Sequence, residues 1–124
     1  MNSKYDITDS ELEIMQVLWN NGSSTLADIV SELDKTKKRN KNTVKTLIYR
    51  LVDKQAVQSQ KNGGQGFLYS PLITEKKYLL KANNSFLKKL YQGSAEKLLL
   101  NFVESQTVTK KELQNLIDYL NKEE

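Results

Sequence analysis

Asn42, Thr43, Lys45, Thr46, Tyr49 and Arg50 fall on one side of a helical period whose other side is Val44, Leu47, Ile48 and Leu51. They are short hydrogen-bonding groups and cations, with no acid until Asp53. Such a set suits the edges of bases in a duplex's major groove. Threonine carries a hydroxyl and a methyl that fits the thymine C5-methyl. Lysine donates to guanine O6 and N7, as a point charge rather than a fork, and asparagine matches an adenine edge. Asn40 is placed as the N-cap, which sets the positive helix end and its first amides near a phosphate. Lys41, Arg50, Lys54 and Lys61 are placed to meet backbone phosphates. An ordinary solvated helix face is the bland alternative, but such faces mix signs and commonly carry glutamate.

The charge distribution points the same way. Residues 35–61 hold nine of the nineteen lysines and arginines against a single acid, Asp53, for a local net of +8. Residues 1–34 carry −6 and residues 62–124 carry +2, so the overall +4 conceals a dense basic block behind an acidic N-terminal stretch. Basic blocks of this density meet phosphate, because neutralising phosphates releases condensed counterions. A solvated lysine face is the competing reading of charge alone.

Composition narrows the classes. The chain has 124 residues, enough for one domain or a small domain with an appendage. It has no cysteine, hence no disulfide framework, thiol nucleophile or thiolate metal site, and no histidine, the commonest general base and metal ligand. No cofactor or metal is expected. The N-terminus is polar and no purely apolar run exceeds three residues, so neither a signal peptide nor a membrane span is expected, and the cytoplasm is the natural location.

The elements that must position the reading face are legible in the caps and periods. Thr8-Asp9-Ser10-Glu11 is a capping box opening a first helix with Leu12, Met15, Leu18 and Trp19 inward, stopped at Asn20-Asn21-Gly22. Thr25 to Asp28 opens a short second helix with Leu26, Ile29, Val30 and Leu33 on its apolar face. The polar linker 35–41 leads to the third helix. Residues 56–61 and 67–72 then alternate around Asn62-Gly63-Gly64-Gln65-Gly66, which reads as a β-hairpin closed by Pro71, as suits the end of an edge strand. The loop is either a flexible turn or a contact to minor groove or phosphate through Lys61 or Gln65. Trp19 and Tyr69 sit on apolar stripes and read as core.

Helix, helix, helix, hairpin is the order of a winged helix-turn-helix. The expected fold is therefore mainly α, with a winged helix over residues 1–73 carrying a small hairpin wing and a helical dimerisation region over 74–124. In that second region Thr74 caps a long helix to about Tyr91, Gly93 breaks it, a short apolar helix covers 95–104, and the capping box Thr109 to Glu112 starts the last helix. Tyr78, Phe86, Leu90, Leu98, Leu99, Phe102, Leu113, Leu116, Ile117 and Leu120 form apolar stripes. The three helices of a single chain give that much apolar surface little to cover, so a second copy is the expected partner.

These stretches carry a resemblance. Residues 7–19 (ITDSELEIMQVLW), 42–51 (NTVKTLIYRL), 98–104 (LLLNFVE) and 112–121 resemble the BlaI/MecI family of penicillinase and methicillin-resistance repressors. The first two are shared with the copper-responsive branch of the superfamily, whereas the third points to the β-lactam branch. The resemblance implies an N-terminal winged helix, C-terminal helices intertwined into a homodimer, and a palindromic double-stranded DNA operator with TACA/TGTA half-sites. Carried over by position, Thr43, Lys45 and Thr46 fall on base-reading positions and Arg50 on a backbone contact. The family commonly has arginine where Lys45 stands and proline at Lys41. The missing guanidinium fork implies weaker guanine discrimination.

The resemblance further implies relief of repression by proteolysis. In the family a membrane-bound sensor detects a β-lactam and its protease activity leads to cleavage within the stretch matching 98–104, at Asn101–Phe102 here. Phe102 also reads simply as core of a dimer helix, and both readings can hold at once. The copper-responsive branch ends in paired Cys-x-Cys motifs, which a chain without cysteine lacks. A cysteine-free relative answering to another signal is the alternative.

Other classes are weaker. Ser85-Phe86-Leu87-Lys88 matches the S-x-x-K string of β-lactam-acylating enzymes, but no S-D-N or K-T-G partner occurs, and an enzyme is not expected. Gly64-Gln65-Gly66 precedes a strand rather than a helix and does not read as a nucleotide loop. A winged helix serving protein interaction or RNA binding is the remaining rival.

Overall fold

The computed structural model describes residues 4–123. Along the chain run α1 (Asp9–Asn21), β1 (Ser24–Thr25), α2 (Leu26–Asp34), α3 (Lys41–Asp53), β2 (Val57–Lys61), β3 (Phe67–Pro71), α4 (Glu75–Tyr91), α5 (Ala95–Glu104) and α6 (Lys110–Glu123). They divide into two compact units, Met1–Lys81 and Ala82–Glu124.

The first unit is a winged helix. Both of its expected capping boxes form. Thr8 Oγ1 accepts from the Glu11 amide at 3.2 Å while Glu11 Oε1 accepts from the Thr8 amide at 3.1 Å, and Thr25 and Asp28 repeat the exchange at the start of α2. Ile14, Met15 and Leu18 of α1, Ile29 and Leu33 of α2, and Val44, Leu47, Ile48 and Leu51 of α3 close on one another, with Ala56, Val57 and Ile73 completing the core. Met15 and Leu18 are buried as expected, whereas Leu12 and Trp19, also expected inward, lie at the margin, and Ile14 and the acid Glu11 are buried with them. The buried stripe of α1 can include a carboxylate because its charge partner also lies inside the protein.

The wing is a three-stranded antiparallel sheet in the order β1-β3-β2. The two-residue β1 was not expected. Ser24 pairs with Tyr69 and Thr25 with Leu68, so the turn between α1 and α2 is laced to the hairpin. Consequently β3 is the middle strand and Pro71 ends it rather than an edge strand. Proline is tolerated there because β1 covers only Leu68 and Tyr69, leaving no ladder bond for Pro71 to break on that side. The hairpin loop is drawn in by the Asn62 amide to the Gly66 carbonyl and the Gln65 amide to the Asn62 carbonyl, both 2.9 Å, with Gly63 and Gly64 at φ of 53° and 86°. Side chains bearing a Cβ are strained in that left-handed region.

The opening of α4 belongs to this first unit. Tyr78 stacks on Trp19 with ring centroids 5.6 Å apart, and Trp19 Nε1 donates to the Ile73 carbonyl at 3.0 Å. Trp19 and Tyr69 both pack against the core.

The second unit comprises the rest of α4 with α5 and α6. Ser94 caps α5, and Thr109 with Glu112 caps α6 through a reciprocal pair of bonds at 2.9 and 3.1 Å. Those bonds to Thr109 hold the Glu112 carboxyl below its usual range. No described residue of this unit is buried, and Phe86, Leu90, Leu99, Leu100, Leu116, Ile117 and Leu120 are all exposed.

Candidate nucleic-acid interface

The reading helix is set by its buried stripe. Val44, Leu47, Ile48 and Leu51 are at most 6% exposed, which fixes the rotation of α3 and turns Lys41, Asn42, Thr43, Lys45, Thr46, Tyr49 and Arg50 outward into solvent. Asn40 is the N-cap, its Oδ1 accepting from the Asn42 amide at 2.7 Å. Thr46 donates its hydroxyl to the Asn42 carbonyl at 3.0 Å, which leaves the oxygen's lone pairs as acceptors and orients the side chain.

Three of the nine bases of the block have other partners. Lys54 Nζ lies 2.6 Å from Glu11 Oε1 and 2.6 Å from the Asp6 carbonyl, with its side chain 8% exposed. Expected to meet a phosphate, Lys54 is instead turned into the protein, because it neutralises a carboxylate that α1 buries. Burial pushes the Glu11 carboxyl up, but the Lys54 ammonium and the Thr8 amide outweigh it and hold the group below the usual carboxylate range. Arg39 Nη2 reaches both Glu13 oxygens at 2.6 and 2.7 Å, tying the linker to α1 one residue before the α3 cap. Its Nε is buried without a partner. Lys35 pairs with Glu32 at 2.7 Å.

Lys37, Lys38, Lys41, Lys45, Arg50 and Lys61 make no ion pair among the described residues and are exposed. The basic block is therefore two populations: Lys54 and Arg39 tied to α1 and Lys35 to α2, and cations that remain available to an external anion.

The wing stands beside α3. Lys61 and Gln65 are exposed at its tip. Between them and α3 a cleft of about 460 Å³ is lined by Leu26, Lys45, Ile48, Tyr49, Phe67 and Tyr69, among others. Phe67 is 46% and Tyr49 66% exposed. Burial, then the nearby Tyr49, pushes the Tyr69 phenol up. Phe67 escaped the sequence reading because strand alternation marks only which residues share a face, and β3 is too short to say what that face meets.

Of the residues expected to dimerise, Tyr78 is engaged with Trp19 in the first unit, and the others lie on α4, α5 and α6 of the second. Asn101 and Phe102 sit inside α5, Asn101 exposed and Phe102 half-buried. Among the described residues no helix is long and apolar enough to cross a membrane, and no cluster of acids offers a metal site.

Three helices, a small sheet and a cation-rich third helix define the class as a winged helix-turn-helix of the nucleic-acid-binding kind. The comparisons give the family. The family model described as penicillinase repressor matches residues 7–122. A penicillinase repressor of Bacillus licheniformis is 34% identical over 114 residues, spanning 92% of this chain and 88% of that protein. The methicillin resistance regulatory protein MecI of Staphylococcus aureus (strain N315) is 31% identical over 121 residues, 98% of each. Two solved structures match at 36% identity, each over 63% of this chain and 94% of its own. They are the DNA-binding domain of the repressor BlaI, at a TM-score of 0.55, and the Bacillus licheniformis BlaI monomeric form in complex with the blaP half-operator, at 0.53. The chain belongs to the penicillinase repressor family.

Proposed function

We propose that this chain is a transcriptional repressor that works in the cytoplasm as a homodimer, lays α3 in the major groove of each half of a palindromic operator, and controls β-lactam resistance genes. The observation that carries the reading is the outward face of α3, where Asn42, Thr43 and Thr46 are exposed and Lys45 and Arg50 make no ion pair among the described residues, while the opposite face is locked in the core. Thr43, Lys45 and Thr46 read bases; Lys41, Arg50 and Lys61 hold phosphates, with Tyr49 alongside. Lys54 has no part in this set.

The absence of burial among the described residues of the second unit supports dimerisation. Burying a single leucine contributes about 1.5–3 kcal/mol, and α5 and α6 together expose Leu99, Leu100, Leu116, Ile117 and Leu120. A twin helix set supplies the missing cover, and pairing places a second α3 beside the first. Cleavage at Asn101–Phe102 by a membrane sensor-protease system would separate α6 from the rest, and each half-operator would then lose the effective concentration supplied by its neighbour, roughly 10²–10⁴ in avidity. Because the bond lies within α5, a protease that takes an extended chain needs that helix to open first.

The test is titration of fluorescent inverted-repeat TACA/TGTA duplex against a scrambled duplex across a salt series. If all six uncommitted cations of each subunit touch phosphates, log K falls with log salt at a slope of at most about −11 for the dimer. Arg50→Gln is expected to weaken both duplexes alike and reduce the slope by about one per subunit, whereas Thr46→Ala acts mainly on the operator. Indifference to sequence, or a flat salt response, would overturn the proposal. For the proteolytic step, a non-cleavable Asn101 variant that still derepressed normally on β-lactam challenge would exclude it.

A further inference from the structure

The apolar cleft between α3 and the wing is lined by only one of the base-reading residues, Lys45, and by no ion pair among the described residues, yet it is bordered by two large exposed aromatics. Tyr49 and Phe67 stand on its walls, Tyr69, Ile48 and Leu26 line it, and Lys45 supplies a cation without an ion pair among the described residues. Its position follows from topology. The loop between α3 and β2 is short, and β3 is held to both β2 and β1, so the hairpin stands as a fixed wall alongside the reading helix.

A duplex constrains what can enter such a cleft. Major and minor grooves alternate along B-DNA and are separated by one sugar–phosphate strand. A protein with one element in the major groove and a second reaching toward the neighbouring minor groove must straddle that strand. The available cations lie on α3, in the linker and at the hairpin tip, whereas the cleft walls are largely carbon. The part of a strand that suits carbon walls is the C–H face of deoxyribose, with its phosphates directed to the rim.

We propose that the cleft seats this sugar–phosphate strand, with Tyr49 and Phe67 packed against deoxyribose and Lys45 passing the rim toward the bases. This rests on the duplex-binding reading above and deepens it. The wing is thereby a clamp working through apolar packing, and its contribution is independent of both sequence and salt.

Those two independences make the experiment. The full-length protein and its Phe67→Ala, Phe67→Leu, Tyr49→Ala and Tyr49→Phe variants are titrated with operator and scrambled duplex over a salt series, after thermal melting shows that each is folded. Each alanine variant is expected to lower affinity about tenfold on both duplexes, as truncation of an aromatic side chain packed at an interface does, with the salt slope unchanged. Phe67→Leu and Tyr49→Phe should restore most of that affinity, because carbon surface rather than the hydroxyl meets the sugar.

A slope shifted by about one unit would mean an ionic interaction with phosphate and overturn the clamp. A reduction confined to the operator would mean base reading, and unchanged affinity would leave the cleft to another occupant; either overturns it. Arg50→Gln is the control. If the wild type binds duplex and Arg50→Gln reduces its slope, DNA binding stands whatever the aromatic variants do. If the wild type binds no duplex, the broader proposal fails instead.

Discussion

Replacing Glu11 by glutamine isolates the ion pair beneath the first helix. The carboxylate is 1% exposed and the Lys54 side chain 8%, with 2.6 Å between them. Glutamine keeps an oxygen for the Thr8 amide and for Lys54, so both the capping box and the packing volume are kept. What remains is a buried ammonium facing neutral oxygens of residue 11 and the Asp6 carbonyl. Removing one partner of a buried pair costs about 3–5 kcal/mol; the retained hydrogen bonds put this case near 3. For a unit of this size that lowers the melting temperature by roughly 10–25 °C.

Trp19, the sole tryptophan, lies against this core, so its fluorescence reports unfolding of the first unit at fixed protomer concentration. The pair also has a pH signature. The Glu11 carboxyl is held below its reference value of 4.5 in the folded protein. Its contribution is therefore complete above that value and is lost as pH falls through the lower folded one. The acid limb should be shallower in Glu11→Gln. Glu11→Gln with Lys54→Met should recover most of the stability, since apolar replacements of buried pairs are often neutral or better. A single variant that melts within about 0.5 kcal/mol of wild type would show that the pair does not hold α1 to the end of α3.

Other perturbations follow from the same interactions. Arg39→Ala frees the linker before α3; with Glu13 more than a third exposed the drop in stability is held to about 1 kcal/mol, and faster amide exchange over residues 36–41 should reveal it. Trp19→Phe removes the donor to the Ile73 carbonyl and should cost about 1 kcal/mol by urea denaturation, with unchanged duplex selectivity. Leu116→Glu places a charge on the exposed apolar face of α6. Sedimentation should show a monomer, with inverted-repeat affinity reduced by roughly 10²–10⁴ and half-site affinity kept.

How much of this was legible in the chain differs by element. The reading face was legible because a helix repeats: four apolar residues at helical spacing fix its rotation, and whatever lies opposite must face out. Caps were legible because threonine followed three residues later by an acid satisfies specific orphan amides locally. The ends of α4 and α5 fell where expected, at Tyr91 and Glu104, but the backbone conformation that closes the helices was not legible. Gln55, Gln92 and Gln106 take positive φ at the close of α3, α4 and α5, a conformation that glutamine does not advertise.

Local order alone thus determined a winged helix with a cationic outer face, an apolar C-terminal helix set and the absence of thiol or imidazole chemistry. Only tertiary structure decided which cations face outward. Lys54 and Arg39 look like the other bases of the block, and they are held by Glu11 and Glu13, more than twenty residues away in the chain. It alone decided the two-residue strand β1, whose pairing partner Tyr69 lies far along the sequence, and the apolar cleft that Tyr49 and Phe67 share. Periodicity records which residues lie on one face of an element; charge pairing across the core and clefts between elements depend on how separate elements meet, and no local pattern encodes that.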